Sequence, residues 1–554
     1  METPDQFTAH WAELLDGVYD CVDRIILNGY YRFACSPGGF RMWWRRLCGD
    51  DDKLSSSSLQ RMAGRFSRRI RAYAKRHDVP VVYTKSKDDP RKHVIADSYR
   101  PDDPEFVGLF LVIIGRAPGL VWDVRRSERG QIRSIERRRS QCWVNHYSFH
   151  VIDPDWGHVT FKICGQPPFA AQIMLNGHEF VARQAMKAGV VFSKEGNCFT
   201  SVSGGAELAK IAETLRSEDA VGQLNRLCDR WIHSCCLFFA LTPEEQQRSG
   251  FHYDYSVYQM EYSRNLLFHR GTDLERVVQS VIDRTRSSLS ITKVKTLFGY
   301  KRRPKFRRNG GQRRRFEAVV EGPVYDLTVF KLHFDKLTLK VYTKGERVLR
   351  VEAVAHNVTA LRCPRSLPVF PEIVSRLREM LERFLGVLAC VDVASISCDA
   401  WDTLRAPSRV SETSVPGVDI SKPRVRALTR AVMALAPQPG GFTIKDLTAK
   451  VREIAHLSAD TYSTSNAAYD LRKLRGKGLV VKLPKSHRYI ASPSGLQTLA
   501  ALLVITDKVI RPVLAGAGKP RPGAPPKHQN TVDSHYERLQ AEMRNLFTSL
   551  GIAA

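Results

Sequence analysis

Several features that would assign this chain of 554 residues quickly are missing from it. No apolar run approaches the roughly 18 residues that a membrane-spanning helix needs. The longest, such as Phe106–Gly115 (FVGLFLVIIG), have the length of a buried strand. The first residues, METPDQFTAHWAELL, carry neither a basic leader nor an apolar segment, so no signal peptide is expected. The twelve cysteines include no CxxC pair, which argues against a zinc ribbon and for reduced core thiols of a cytoplasmic protein. The GxxxxGK[ST] loop is absent, and with it P-loop nucleotide hydrolysis. HExxH, GxSxG and GxGxxG are absent too. One absence is local: residues 293–315 hold eleven Lys or Arg and not one acid.

Positive charge is what the chain has instead. The formal net charge is +28, and it is concentrated in three stretches. Residues 61–139 carry a net +10, residues 293–315 carry +11, residues 420–490 carry +10, and everything else together comes to −3. Cations clustered in this way are the footprint of a polyanion, because each one gains affinity by displacing counterions from phosphates. The expected partner is nucleic acid, DNA or structured RNA, and not a membrane.

The pattern of apolar residues predicts an α+β, multidomain protein. Residues 1–140 read as a basic α/β domain with a cationic helix from about Leu59 to Lys75, N-capped by the serines at 55–58. Residues 141–298 read as a strand hairpin plus a helical domain. Its helices include DYSVYQMEYSRNLLFHR, residues 254–270. An Arg-rich arm at 299–316 would contact phosphates through Lys301, Arg302, Arg303, Lys305, Arg307, Arg308, Arg313, Arg314 and Arg315. Arg68, Arg69, Arg137, Arg138 and Arg139 would do so from the N-terminal domain. An α+β domain at 317–400 and a polar linker at 401–421 come next. A further domain spans 422–513, a Pro- and Gly-rich tether 514–533, and a C-terminal amphipathic helix 534–554. In that helix Tyr536, Leu539, Met543, Leu546 and Leu550 form one stripe, so residues 534–551 are a candidate surface for a protein partner or self-association.

Within 422–513, three helical segments (RVRALTRAVMALA, FTIKDLTAKVREIAHL, STSNAAYDLRKLRGKGLV) precede two strands around a basic loop, VVKLPKSHRYIAS. This order resembles the winged helix of MarR-type regulators over about 70 residues. The resemblance implies that the third helix enters a major groove. The readers would be Ser465, Asn466, Tyr469, Arg472 and Lys473, with Lys485, His487 and Arg488 at the wing tip. The region upstream is similar to uncharacterised bacterial proteins that end in the same domain.

Two further constellations bear on chemistry. In NHYSFHVIDPDWGHVTFK, Asp153–Gly157 reads as a turn that sets residue 152 opposite 158, so His150 and His158 share a strand face. With Asp153, His178 and Glu179 they are the candidate catalytic residues of the runner-up reading, a metal-dependent nuclease or nickase of mobile-element or replication type. It would use Mg²⁺ or Mn²⁺; otherwise no metal or cofactor is expected. The third constellation, YTKGERVLRVE (342–352), is similar to the tyrosine–aspartate–lysine and arginine–x–glutamate strands of rolling-circle replication initiators. Here Thr343 stands where the aspartate is expected, and no His-hydrophobic-His motif accompanies it. Arg350 and Glu352 alternate on one strand face and read as an ion pair across a sheet. Tyr258 and Tyr262, four apart on an expected helix, are the nearest thing to a tyrosine pair. A third class, a scaffold subunit of a nucleoprotein complex, would use the C-terminal helix as its dock.

Overall fold

The computed structural model describes residues 5–84, 90–138, 142–288, 294–296, 318–320, 328–334, 336–390, 398–410, 412–511 and 531–549. The chain is a mixed α+β protein of two compact units. One comprises Leu15–His269 with Leu332–Arg378, and the other Met1–Leu14, Arg270–Lys331 and Glu379–Ala554.

The first unit is built on one large sheet. Its strands are β1 (Leu15–Tyr30), β2 (Val81–Thr84), β3 (Gly108–Gly119), β6 (Cys142–Asp153), β7 (Gly157–Cys164), β8 (Ala171–Asn176), β11 (Asp254–Phe268), β14 (Thr328–Phe334), β15 (Leu337–Lys344) and β16 (Val348–Ala355). Two hairpins lie beside it, β4 (Trp122–Arg126) with β5 (Ile132–Arg137) and β9 (Phe192–Glu195) with β10 (Cys198–Val202). The short parallel pair β12 (Val294–Thr296) and β13 (Ala318–Val320) belongs to the second unit. The spatial order in the sheet is β14-β15-β16-β11-β1-β8-β7-β6-β3-β2.

One face of this sheet is apolar. Tyr147, Phe149 and Val151 on β6 alternate with residues of the other face, and Val159, Phe161 and Ile163 do the same on β7. They pack under the helix Ser56–Arg76, whose Leu59, Met62, Phe66, Ile70 and Ala74 recur at helical spacing and are buried. Phe66 lies 4.6 Å from Tyr147 and 6.5 Å from Phe149, ring centre to ring centre. The helix begins where expected, with the Ser55 hydroxyl accepting from Ser58 N. Its exposed side carries Arg61, Arg68, Arg71 and Arg76.

The structure corrects several expectations. Residues 254–268 form strand β11 rather than a helix, between β1 and β16. From Tyr262 onward this strand is buried on both faces, so the alternation that marks a strand is missing there. The expected divisions at 140 and 298 do not separate domains, since one sheet takes strands from 15–30, 142–176, 254–268 and 328–355. The expected linker is folded: the helix Cys398–Arg405 leads into the hairpin β17 (Ser408–Val410) and β18 (Thr413–Val415), with Val415, Val418 and Ile420 buried. The arm at 299–316 and the tether as far as residue 530 lie outside the described residues, as does Arg139.

In the second unit the helices Pro423–Leu435, Ile444–Ala455 and Thr464–Gly476 come in the expected order. A three-stranded sheet ordered β19 (Phe442–Thr443), β21 (Arg488–Ala491), β20 (Val480–Lys482) accompanies them. Thr443 and Asp446 close a capping box on the second helix, and Ser463 caps the third. The helix Pro493–Val504 follows, and the C-terminal helix spans Thr531–Ser549. No helix among the described residues is long and apolar enough to cross a membrane.

Candidate functional site

The other face of the large sheet is polar, and its register makes a centre of it. In antiparallel strands, directly opposed residues share a face. Lys340 opposes Glu352, which opposes Ser263, which opposes Cys21. The next row is Tyr342, Arg350, Asn265 and Tyr19. Between Val22 and Ile25, β1 carries one residue more than β11 does between Tyr262 and Met260. This bulge sets Asp23 and Arg24 opposite Glu261. Asn176 ends β8 and caps the helix Gly177–Lys187 by accepting from His178 N at 2.8 Å, which fixes His178 at the helix start.

Two linked clusters result. The deeper one is Asp23, His178 and Arg350, each with no exposed side chain. Asp23 Oδ1 lies 2.6 Å from His178 Nδ1, and Asp23 Oδ2 lies 3.9 Å from the Arg350 guanidinium. Arg350 also donates to Asn265 Oδ1 at 2.6 Å and to the Asn197 carbonyl at 2.6 Å. Burial works to raise the Asp23 carboxyl, yet Arg350 and His178 hold it below the ordinary carboxylate range. Burial keeps His178 below its usual value.

The shallower cluster is Lys340, Tyr342, Glu352 and Glu261. Lys340 donates to Glu352 Oε2 at 2.5 Å, and the Tyr342 hydroxyl donates to Glu352 Oε1 at 3.3 Å. Glu352 is 2% exposed, whereas Lys340, Tyr342 and Glu261 are half-buried. Burial pushes the Glu352 carboxyl up to about 7; Lys340 opposes this, and the negative charges of Asp23 and Glu261 add to it. Glu261 is raised as well, chiefly by burial. Burial would lower Lys340, but Glu352 and Glu261 hold it above its normal value. A carboxyl that titrates near neutrality beside a hydroxyl and an ammonium is equipped to exchange protons.

Arg350 and Glu352 do share a strand face, but they pair with different partners: Arg350 with Asp23, Glu352 with Lys340. The other candidates do not converge. His150 and His158 share a face as expected, with Ile152 opposite His158, and His150 Nδ1 lies 3.0 Å from His158 Nε2. Burial holds both imidazoles neutral, near 3 and near 4. Asp153 is buried at the end of β6: Oδ1 accepts from Asp155 N and Trp156 N of the turn, and Oδ2 from Arg230 and Trp231. Glu179 pairs with Lys194 and Arg100 instead of joining His178. Tyr262 is buried on the apolar side of β11 and donates to Asp20. Among the described residues, the three possible metal ligands that cluster are Cys21, Asp23 and His178, all buried and beside Arg350. A cation there would face that guanidinium.

In the second unit, the helix Thr464–Gly476 exposes Ser465, Tyr469 and Arg472, with Asn466 and Lys473 half-exposed. Lys473 sits over the Tyr469 ring at 4.5 Å. The helix's one acid, Asp470, is buried against Arg424, Tyr462 and, at 3.8 Å, Lys473 of the same helix. Lys485 and His487 are exposed on the β20–β21 loop. Arg488, expected beside them, is 8% exposed and pairs with Asp446 at 3.7 Å. In the first unit Arg68 is exposed and Arg69 half-buried. Arg137 lies over the Trp122 ring at 5.4 Å, and Arg138 approaches Cys142 Sγ at 3.9 Å.

No family model, curated protein or solved structure matches this chain.

Proposed function

We propose that this protein binds nucleic acid, DNA or structured RNA, in the cytoplasm, and that it reads its target with a C-terminal winged helix. The observation that carries this is the outer face of the helix Thr464–Gly476. Ser465, Asn466, Tyr469 and Arg472 line the outer side, while Lys473 lies over the Tyr469 ring and pairs with the inward-turned Asp470, the only acid of the helix, at 3.8 Å. Hydrogen-bonding groups, a stacking ring and the exposed cation of Arg472 suit base edges flanked by phosphates. The acid-free basic stretch at 299–315 adds sequence-independent contacts on this reading.

Two measurements test it. Affinity for duplex DNA or structured RNA should fall steeply between low and physiological salt; a flat dependence would rule out the phosphate contacts. Arg472→Ala or Asn466→Ala should cost about 1–3 kcal/mol of discrimination between sequences and leave non-specific binding in place. Unchanged preference in both would make this module a protein-contact domain.

A second reading, phosphodiester cleavage, is favoured by the Lys340–Tyr342–Glu352–Glu261 cluster, not by the histidines around Asp153. Lys340 would stabilise the charge that develops on a phosphoryl group, and Glu352 would be the base. Tyr342 Oη would attack phosphorus and pass its proton to Glu352. The P–O bond to the leaving strand would then break, and the departing oxygen would take up a proton. With Mn²⁺ and single-stranded DNA this predicts a covalent protein–DNA adduct, absent in Tyr342→Phe and Glu352→Gln. If the wild type forms no adduct and cuts nothing, the cluster is not a nicking centre.

A further inference from the structure

The polar sheet face does not end at Glu352. Gln259 and Glu261 lie on the same side of β11, and Gln259 opposes Ile26. Asn28 opposes Gln172, Gln172 opposes Lys162, and Lys162 opposes Ser148. Four strand steps separate Lys162 on β7 from Glu352 on β16, about 19 Å across the sheet at the usual strand spacing, and their rows cross β1 at different points, Asn28 and Cys21. At this far end the chemistry is reversed. Lys92, at the start of the helix Lys92–Ser98, donates to Ser148 Oγ at 3.3 Å. Lys162 is close enough to depress Lys92 further, after burial has already lowered it, to about 8. Both lysines also act on His146, which burial holds neutral near 4.

Three observations make this more than a solvated patch. First, two half-buried ammonium groups lie together, and among the described residues no carboxylate acts on Lys92, Lys162, His146 or His150; the acid that acts on Lys162 is Cys164, a thiol that burial keeps protonated. Like charges brought together out of water are costly unless something neutralises them. Second, the space for Lys92 depends on Gly115, where an added Cβ would lie 3.3 Å from Lys92 Nζ and 2.5 Å from Thr84 Oγ1. Third, His150 lies in the adjoining row, is 3% exposed, and leaves its Nε2 without a hydrogen-bond partner. Its other nitrogen is occupied by Thr160 and His158.

We propose that Lys92 and Lys162, with Ser148 and His146, form a binding site for a phosphate group. It lies on the same sheet face as Glu352 and too far from it for one phosphate to touch both. A nucleic-acid strand laid across the sheet would meet the lysines with one phosphate. This rests on the nucleic-acid reading above, but the site itself requires only the anion. Lysine is suited to a phosphate as a compact charge with three donors, and the neutral imidazoles and Ser148 supply further hydrogen bonds.

Titration calorimetry on the full chain tests this with two probes, inorganic phosphate and a 5′-phosphorylated decathymidylate. Lys162→Met and Lys92→Met keep side-chain length and remove charge. Each should weaken binding of both probes at least tenfold and lower the salt slope for the oligonucleotide by about one. Lys162→Arg should keep binding within a few-fold, which separates loss of charge from misfolding. If phosphate binds and Lys162→Met abolishes it while the wild type ignores the oligonucleotide, the site stands and the nucleic-acid reading falls. If the oligonucleotide binds with the same affinity and salt slope in wild type and both Met variants, the lysine site is overturned.

Discussion

The two ends of the polar sheet face solve the burial of charge in opposite ways. Around Glu352 and Asp23, carboxylates are met by cations, so Lys340 faces Glu352 and Arg350 faces Asp23. Around Lys162, cations meet neutral imidazoles and a hydroxyl, and no acid balances them among the described residues. The carboxylates of the first end are paired with cations, and that end can be structural, catalytic or both. The second is complete only with an anion. A self-satisfied network mainly rigidifies the fold, whereas an unbalanced one points outward to a ligand.

The sharpest way to break the comparison is to unbalance the balanced end. Arg350→Met leaves Asp23 buried without its guanidinium counter-charge and removes the donor to Asn265 and Asn197. Breaking a buried pair by removing one partner typically costs about 3–5 kcal/mol. We expect a loss of that size in urea unfolding of the first unit's transition. Lys162→Met at the other end should be neutral or stabilising, because it relieves repulsion. A large loss from Lys162→Met would mean that its charge is already compensated.

The pH dependence of stability separates the ends next. Glu352 is held at about 7 in the fold against 4.5 unfolded. Between these values the folded state therefore binds more protons, and stability falls as pH rises through that window. His146 and His150 are held near 4 and near 3 against 6.5 unfolded. There the unfolded state binds more protons, so stability falls as pH drops from 6.5 towards 4. Shifts of this size correspond to about 3–5 kcal/mol. Glu352→Gln should flatten the loss between pH 4.5 and 7, and His150→Asn should flatten the loss on the acid side. If both variants reproduce the wild-type curve, these groups are not buried as described.

What was legible in the sequence follows the distance over which each feature is encoded. The β6–β7 hairpin could be read down to its register, because Asp153–Gly157 carries its own turn chemistry. The basic helix was legible through its serine cap and apolar stripe. The polar centre was not, since it gathers Asp23, His178, Glu261 and Glu352 from positions more than 300 residues apart. Strand β1 was hidden by Asp20, Asp23 and Asn28, which look like loop residues until neighbouring strands satisfy them. Arg350 and Glu352 could be singled out by local pattern, but their partners could not. Arg488 shows the reverse error: a basic residue in a basic loop read as exposed, yet it folds back onto Asp446. Charge alone cannot say which way a side chain turns.

The smallest expected effect discriminates most finely. Gly115 opposes both Thr84 and His146, so it lies on the polar face beside the lysines. An alanine there would bring its Cβ to 2.5 Å from the Thr84 hydroxyl and 3.3 Å from Lys92 Nζ. The hydroxyl can rotate away and the lysine end is flexible, so the clash should be relieved locally. Replacing a strand glycine also gains some backbone entropy, which offsets part of the cost. The net destabilisation of Gly115→Ala should be about 1 kcal/mol, near the low end of overpacking. Phosphate binding should weaken measurably, because Lys92 is displaced from its seat beside Ser148. The alkaline limb of the stability profile, set by Glu352, should not move. If Gly115→Ala shifts that limb as well, the two ends of the face act as one electrostatic unit, and the division between a balanced and an unbalanced end fails.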